Sequence, residues 1–211
     1  MTLALDLIKS EYVELKDEGI CIKEDIENEH GKVTMEVTID KLKEDKDLYH
    51  IFCEPGSKKN EESRIKFFLL NKFPDGCFFT YDESTGEIEC YICDLKKKPS
   101  NQLAKLKEQL FSGLIHCKTL FSLLDIEMEK VKFNFVVYFI VDVNVEVEYN
   151  NLRGMPKKVT PGREVTAPSD YENWKQGKSI FSKGSYSHTM NLQKIKLNQI
   201  SEELYTFEHL I

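Results

Sequence analysis

No stretch of this chain reaches the roughly 18 to 20 uninterrupted apolar residues that a membrane-crossing helix needs, so no membrane partner is expected. The start, MTLALDLIKSEY, has no basic n-region and its apolar run breaks at Asp6, which argues against a signal peptide. There is no P-loop and no GxGxxG, so nucleotide use by those routes has no support. His116, His188 and His209 have no Cys or Ser at a spacing that suggests a nucleophile and its base, and His50, before an apolar strand, reads as structural. No internal repeat or low-complexity tract interrupts the 211 residues.

What is present is a globular composition, with 41% hydrophobic and 11% aromatic residues, enough for one substantial core. The six cysteines, Cys21, Cys53, Cys77, Cys90, Cys93 and Cys117, are scattered and mostly set in apolar segments. Cys90 and Cys93 form a CxxC, but three residues apart on a strand they point to opposite faces and cannot grip one metal. Buried free thiols in a reducing cytoplasm are the expected reading. Net charge is −7, unlike a general nucleic-acid coat protein, but residues 151 to 187 carry a local +4 against −11 for the rest. A polyanion would meet the protein there, at Lys157, Lys158 and Arg163, or at the Lys96-Lys97-Lys98 run, with Trp174 available to stack on a base or to pin the loop.

Along the chain, a short helix is expected at 3 to 10 and a half-buried strand at 31 to 42, where Val33, Met35, Val37 and Ile39 alternate with polar neighbours. Residues 61 to 73 lean towards helix, because Glu61 and Glu62 suit a first turn. GCFFTYD, ESTG and EIECYICDLK read as strand, turn and returning strand. Ser100 can cap the next element, where Leu103, Leu106, Leu110, Leu114, Cys117, Leu120 and Leu124 recur at helical spacing. VKFNFVVYFIVDV, at 131 to 143, reads as a strand buried on both faces. Residues 151 to 187, with four glycines and three prolines, read as a long loop, 188 to 197 as a closing strand, and the tail as one further helical turn. The expected organisation is a core at 1–150, a basic loop at 151–187, and a closing strand and tail at 188–211.

Placing the hairpin turn between Ser84 and Thr85 pairs residues whose numbers sum to about 169. Asp75 then lies opposite Asp94, with Cβ atoms about 4.5 to 5.5 Å apart, and Lys96 shares the face of Asp94. Two carboxylates so placed repel unless a cation sits between them, and oxygen-only ligands suit Mg²⁺ or Mn²⁺. An adjacent ammonium would orient a water or offset phosphoryl charge. Asp82, close to the turn, is a poorer partner. The bland alternative is a Pro-Asp-Gly turn at Asp75 and a solvated strand end at Asp94 and Lys96. A register slip of one residue would put Asp75 on the other face.

Pro74-Asp75, a hairpin and then Asp94-Leu95-Lys96, followed by an amphipathic helix and a buried strand, resembles the PD-(D/E)XK, restriction-endonuclease-like nuclease superfamily over roughly residues 55 to 143. The resemblance implies an α/β (α+β) fold with a mixed central sheet flanked by helices. It implies Asp75 and Asp94 as ligands of Mg²⁺ or Mn²⁺ and Lys96 as the group that positions the attacking water. A glutamate from the preceding helix, Glu61 or Glu62, would join them, with Glu62 taken as the third ligand. Gln102 or Gln109, with Gln109 preferred, would be the helix glutamine of the site. Lys97 and Lys98 would extend the nucleic-acid surface. The implied activity is cytoplasmic phosphodiester hydrolysis, DNA favoured, by a component of bacterial or phage defence that acts with a protein partner or as a homo-oligomer. The rival is a non-catalytic protein-interaction module on the same fold.

Overall fold

The structure, a computed structural model, describes residues 8, 12–28, 31–42, 46–53, 70, 72–142 and 168–211. The expected helix at 3 to 10 lies almost wholly outside them, as do Glu61, Glu62, Lys157, Lys158 and Arg163.

The hairpin anticipated around residue 84 forms as β5 (Gly76–Asp82) and β6 (Ile88–Lys96), and the amphipathic run forms α1 (Leu103–Leu123). The apolar run after it is β7 (Val131–Phe139). Before the hairpin come β1 (Val13–Leu15), β2 (Ile20–Asn28), β3 (Gly31–Asp40) and β4 (Lys46–Ile51). After β7 come α2 (Pro168–Lys175), β8 (Lys178–Lys183), β9 (Tyr186–Lys196), β10 (Asn198–Gln199) and β11 (Leu204–Leu210). The strands build a seven-stranded sheet, order β1-β4-β5-β6-β7-β9-β8, and a four-stranded sheet, order β10-β11-β3-β2. Both contain parallel and antiparallel pairs, and the chain is an α+β protein. Among the described residues no helix is long and apolar enough to cross a membrane.

Strand periodicity sorts the large sheet into two faces. Cys77, Phe79, Cys90, Ile92, Phe135 and Val137 face α1 and pack with Leu106, Leu110, Leu114 and Phe121. Phe78, Cys93, Leu95, Val136 and Tyr138 face the other way, onto Ile20, Ile22, Met35, Val37 and Ile39 of the small sheet. A three-layer stack follows, with helices on one face of the central sheet and, among the described residues, a second sheet on the other. β7 is central and parallel to both neighbours, which is why it needs apolar side chains on both faces.

Three expectations are corrected. Residues 168–187 are not loop: Pro168 suits a first helical turn, Tyr171 and Trp174 share the buried face of α2, and Ser179 and Phe181 are the buried positions of β8. The tail is not helical: Tyr205, Phe207 and Ile211 pack on the core between the sheets, and β11 runs parallel to β3. Ser100 does not cap α1; it is buried in the short 3-10 turn Pro99–Asn101, and Gln102 stands at the cap position without a side-chain hydrogen bond.

Two glycines let the layers touch. A Cβ at Gly113 of α1 would lie 2.7 Å from Ile92 Cγ2 and 2.8 Å from Pro74 Cγ. A Cβ at Gly76 would lie 2.4 Å from Ile22 Cδ1, so β2 rests directly on the start of β5. Replacing Gly113 with valine forces α1 off the sheet; urea denaturation should show a loss of about 1–3 kcal/mol, and an unchanged midpoint would contradict this packing.

Candidate metal and phosphoryl-transfer site

The hairpin register is the one the turn implied: Gly76 pairs with Cys93, Cys77 with Ile92 and Phe79 with Cys90. Asp82 locks it, its Oδ1 accepting hydrogen bonds from the amides of Ser84 (2.8 Å) and Thr85 (3.2 Å) and from the Ser84 hydroxyl (2.6 Å). Asp82 is therefore a turn residue. One step beyond the paired residues, the same register sets Asp75 opposite Asp94.

Asp75 is tied to the second strand directly, since the Leu95 amide donates to its Oδ2 at 2.6 Å. Asp94 is 0% exposed and Lys96 3%, which overturns the solvated strand-end alternative. Lys96 Nζ donates to Asp94 Oδ1 and, at 3.0 Å, to the Leu95 carbonyl, and stands 3.8 Å from Asp75 Oδ2. Asp94 Oδ2 is buried with no hydrogen-bond partner. Two carboxylates and one ammonium thus share a corner in which Asp94 and Lys96 are buried, Asp75 is 20% exposed, and the Asp94 carboxyl lies against that of Asp75.

The electrostatics follow from that crowding. Burial and then the charge of Asp75 push the Asp94 carboxyl well above the usual carboxylate range, against the pull of Lys96. Burial acts to lower Lys96, but Asp94, Asp75 and Glu24 together outweigh it and raise its pKa, so the ammonium stays charged.

Glu24 is the residue that sequence reasoning missed. On β2 it stands opposite Met35, within the inward row Ile20, Ile22, Glu24 and Ile26. Ile22 lies against Gly76, so Glu24, two residues along the same face, comes to the Asp75 end of β5. Its Oε2 is buried and has no hydrogen-bond partner. Burial first and Asp75 second raise its carboxyl to about 7, while Lys96 and Lys105 act to lower it. The signal was available: in ICIKEDIEN an acid occupies a place where the alternation calls for an apolar residue.

Of the other expected site residues, Gln109 supports the corner through one amide N–H, while its Oε1 is buried without a hydrogen-bond partner. It is 4% exposed, and Nε2 donates to the Phe73 carbonyl at 2.7 Å, fixing the segment that leads into Pro74 and Asp75. Its assignment as a catalytic residue is corrected to a positioning one. Lys97 and Lys98 follow directly on β6 and are half-buried; the Lys97 carbonyl accepts from Val141 N at 3.0 Å. Exposed Lys105, on the first turn of α1, adds a positive group on this side that the sequence reading did not single out.

Trp174 is corrected too. At 1% exposure it has no ring face to offer a base; its Nε1 donates to Asp142 at 3.1 Å and Lys194 Nζ sits 4.6 Å over the ring. It pins α2 to the end of β7. The six cysteines are free, five of them buried, and Cys90 and Cys93 fall in the two different cores as their spacing requires.

Among the described residues no three His, Cys, Asp or Glu side chains are gathered tightly enough to chelate an ion as they stand. The fit for Mg²⁺ or Mn²⁺ rests on the free Asp94 oxygen beside Asp75, an oxygen-only donor set suited to a hard cation. No protein-family model, curated protein or solved structure matches this chain.

A folded-state pKa above the unfolded value means that Glu24 holds a proton in the native state that it loses on unfolding. Its favourable contribution is complete below its ordinary 4.5 and is lost as pH rises to about 7. Without divalent cations, Glu24→Gln should therefore remove a decline in stability across that window, of at most about 1.4 kcal/mol per pH unit. Thermal melts of both proteins at several pH values check this; parallel profiles would show that Glu24 is not held in the buried site.

Proposed function

We propose that this protein is a Mg²⁺- or Mn²⁺-dependent nuclease that hydrolyses phosphodiester bonds at Asp75, Asp94 and Lys96. The observation that carries the reading is the fully buried Asp94 with an unpartnered carboxylate oxygen, set beside Asp75 and in contact with the Lys96 ammonium. A carboxylate buried this way is costly unless a positive charge compensates it. The order Pro-Asp, hairpin, Asp-x-Lys, helix, parallel strand supports the likeness to the PD-(D/E)XK superfamily.

In this reading Asp75 and Asp94 hold the cation from facing strands, with Asp75 kept in place by the Leu95 amide. A bound Mg²⁺ supplies Lewis-acid polarisation of the phosphoryl group and a more acidic water. Lys96, anchored by the Leu95 carbonyl and Asp94, directs its remaining N–H to the attacking water or to a phosphoryl oxygen as negative charge develops there. Gln109 keeps the Pro74-Asp75 segment at its level on the sheet through Phe73. Lys97, Lys98 and Lys105 supply positive charge for the flanking phosphates.

DNA as substrate is the extension that the family likeness suggests. The net charge of −7 suits an enzyme brought to nucleic acid by a partner protein or a second copy of itself, as in a defence system. The free cysteines suit a cytoplasmic setting. One observation favours the rival, a non-catalytic interaction module: Lys96 already compensates Asp94, as in an ordinary buried ion pair.

Two measurements separate these readings. Saturating Mn²⁺ should raise the melting temperature of the wild type, and Asp94→Asn should abolish the rise. Plasmid cleavage in Mn²⁺ should fall by about 10²–10³ in Lys96→Gln, with circular dichroism used to verify that the variant is folded. No cation response and no Lys96-dependent cleavage, with candidate partners added, would leave the interaction module standing.

A further inference from the structure

We infer that Glu24 is a third carboxylate ligand of the cation, so that the metal site is built by both sheets and the small sheet is part of the catalytic unit. This rests on the nuclease reading above and adds a ligand that lies outside the hairpin motif and about fifty residues before it.

Geometry brings Glu24 to the site. β2 crosses the start of β5 with Ile22 seated in the space that Gly76 leaves by having no Cβ, and Glu24 is the next inward-facing residue of that strand. It is the one acid in a row otherwise made of Ile20, Ile22 and Ile26, where a fourth apolar side chain would pack at no electrostatic cost. A carboxylate at an apolar position needs a compensating partner, yet Glu24 Oε2 has no hydrogen bond. Asp94 Oδ2 is likewise buried without a hydrogen-bond partner, and Lys96, which contacts Asp94 and stands 3.8 Å from Asp75, also acts electrostatically on Glu24. By strand alternation Asp94 points away from the small sheet, so the two open acceptor oxygens approach the end of β5 and β6 from its two sides.

Charge balance points to the same ligand. Glu24, Asp75 and Asp94 together, when ionised, carry three negative charges against the single positive charge of Lys96, and a divalent cation neutralises the remainder. Asp75 and Asp94 alone would leave an excess positive charge in a buried site once the cation entered. As they stand, the three carboxylates are not gathered closely enough to chelate an ion. Asp75 is fastened by the Leu95 amide and Asp94 by Lys96, so a bound cation would require the Glu24 side chain to turn towards it.

The test is calorimetric titration of Mn²⁺ into the full chain at fixed pH, comparing wild type, Glu24→Gln, Glu24→Met and Asp94→Asn, with Glu27→Gln, exposed on the same strand, as control. Glu24→Gln and Glu24→Met should each weaken Mn²⁺ binding at least about tenfold, while melting no lower than wild type without the cation. Glu27→Gln should bind as wild type does. Wild-type affinity in both Glu24 variants, alongside loss in Asp94→Asn, would overturn the third ligand and leave the two-carboxylate nuclease reading intact. A wild type that binds no Mn²⁺ would overturn that reading and this inference together.

Discussion

The Lys96 ammonium buried against Asp94 is the interaction on which the rest of this structure turns. Neither group is solvated to any useful extent, and removing ions from water costs several kcal/mol each before any attraction is counted. A purely structural solution would place two apolar residues here, as at Cys93 and Leu95 on the opposite face of the same strand. Instead the chain keeps the pair, adds Asp75 next to it and leaves an Asp94 oxygen open. The fold must then supply enough apolar packing elsewhere to tolerate the arrangement, and it does so with two cores, one on each face of the central sheet.

Both cores press closely on the hairpin near this corner. Gly113 allows α1 to settle onto Pro74 and Ile92, and Gln109, one helical turn nearer the N-terminus of α1, holds the Phe73 carbonyl. On the other face Gly76 lets β2 lie against the start of β5. The segment carrying Asp75 is gripped from both sides while its carboxylate is fixed by Leu95 N. Such over-determination is what a site needs if ligand oxygens are to stay in place when their charge changes.

The hairpin was legible because its information is local. A turn of Glu-Ser-Thr-Gly, an Asp at the position that can bond the turn amides, and alternating apolar residues fix a register, and the register fixes which acids face each other. The leucine spacing of α1 and the unbroken apolar run of β7 are local in the same sense. What escaped is set by distant partners. β11 is a strand because β3, more than 160 residues earlier, offers it an edge, and its polar residues alone gave little periodicity. In α2, a first-turn proline and a buried Tyr171–Trp174 pair outweighed a neighbourhood rich in glycine and proline. Trp174 was misassigned for the same reason, since an aromatic in a basic stretch cannot reveal that Asp142 and Lys194 will enclose it.

Glu24 shows most clearly where sequence reading stops. The hairpin motif directs attention to acids near itself, and a nearby helix was the natural place to seek a third. The small sheet has no obvious reason to take part, because its inward face is apolar apart from Glu24 and His209, whose ring hydrogen-bonds Tyr138, and its strands pair among themselves. Only when β2 is laid across Gly76 does the misplaced acid of ICIKEDIEN acquire a neighbour, and that neighbour is Asp75. An acid that breaks an apolar alternation is either a packing fault that selection would remove at little cost or a group held for its charge. Its position near Asp75 and Lys96, where, among the described residues, an Asp94 oxygen is also left open, favours the second account.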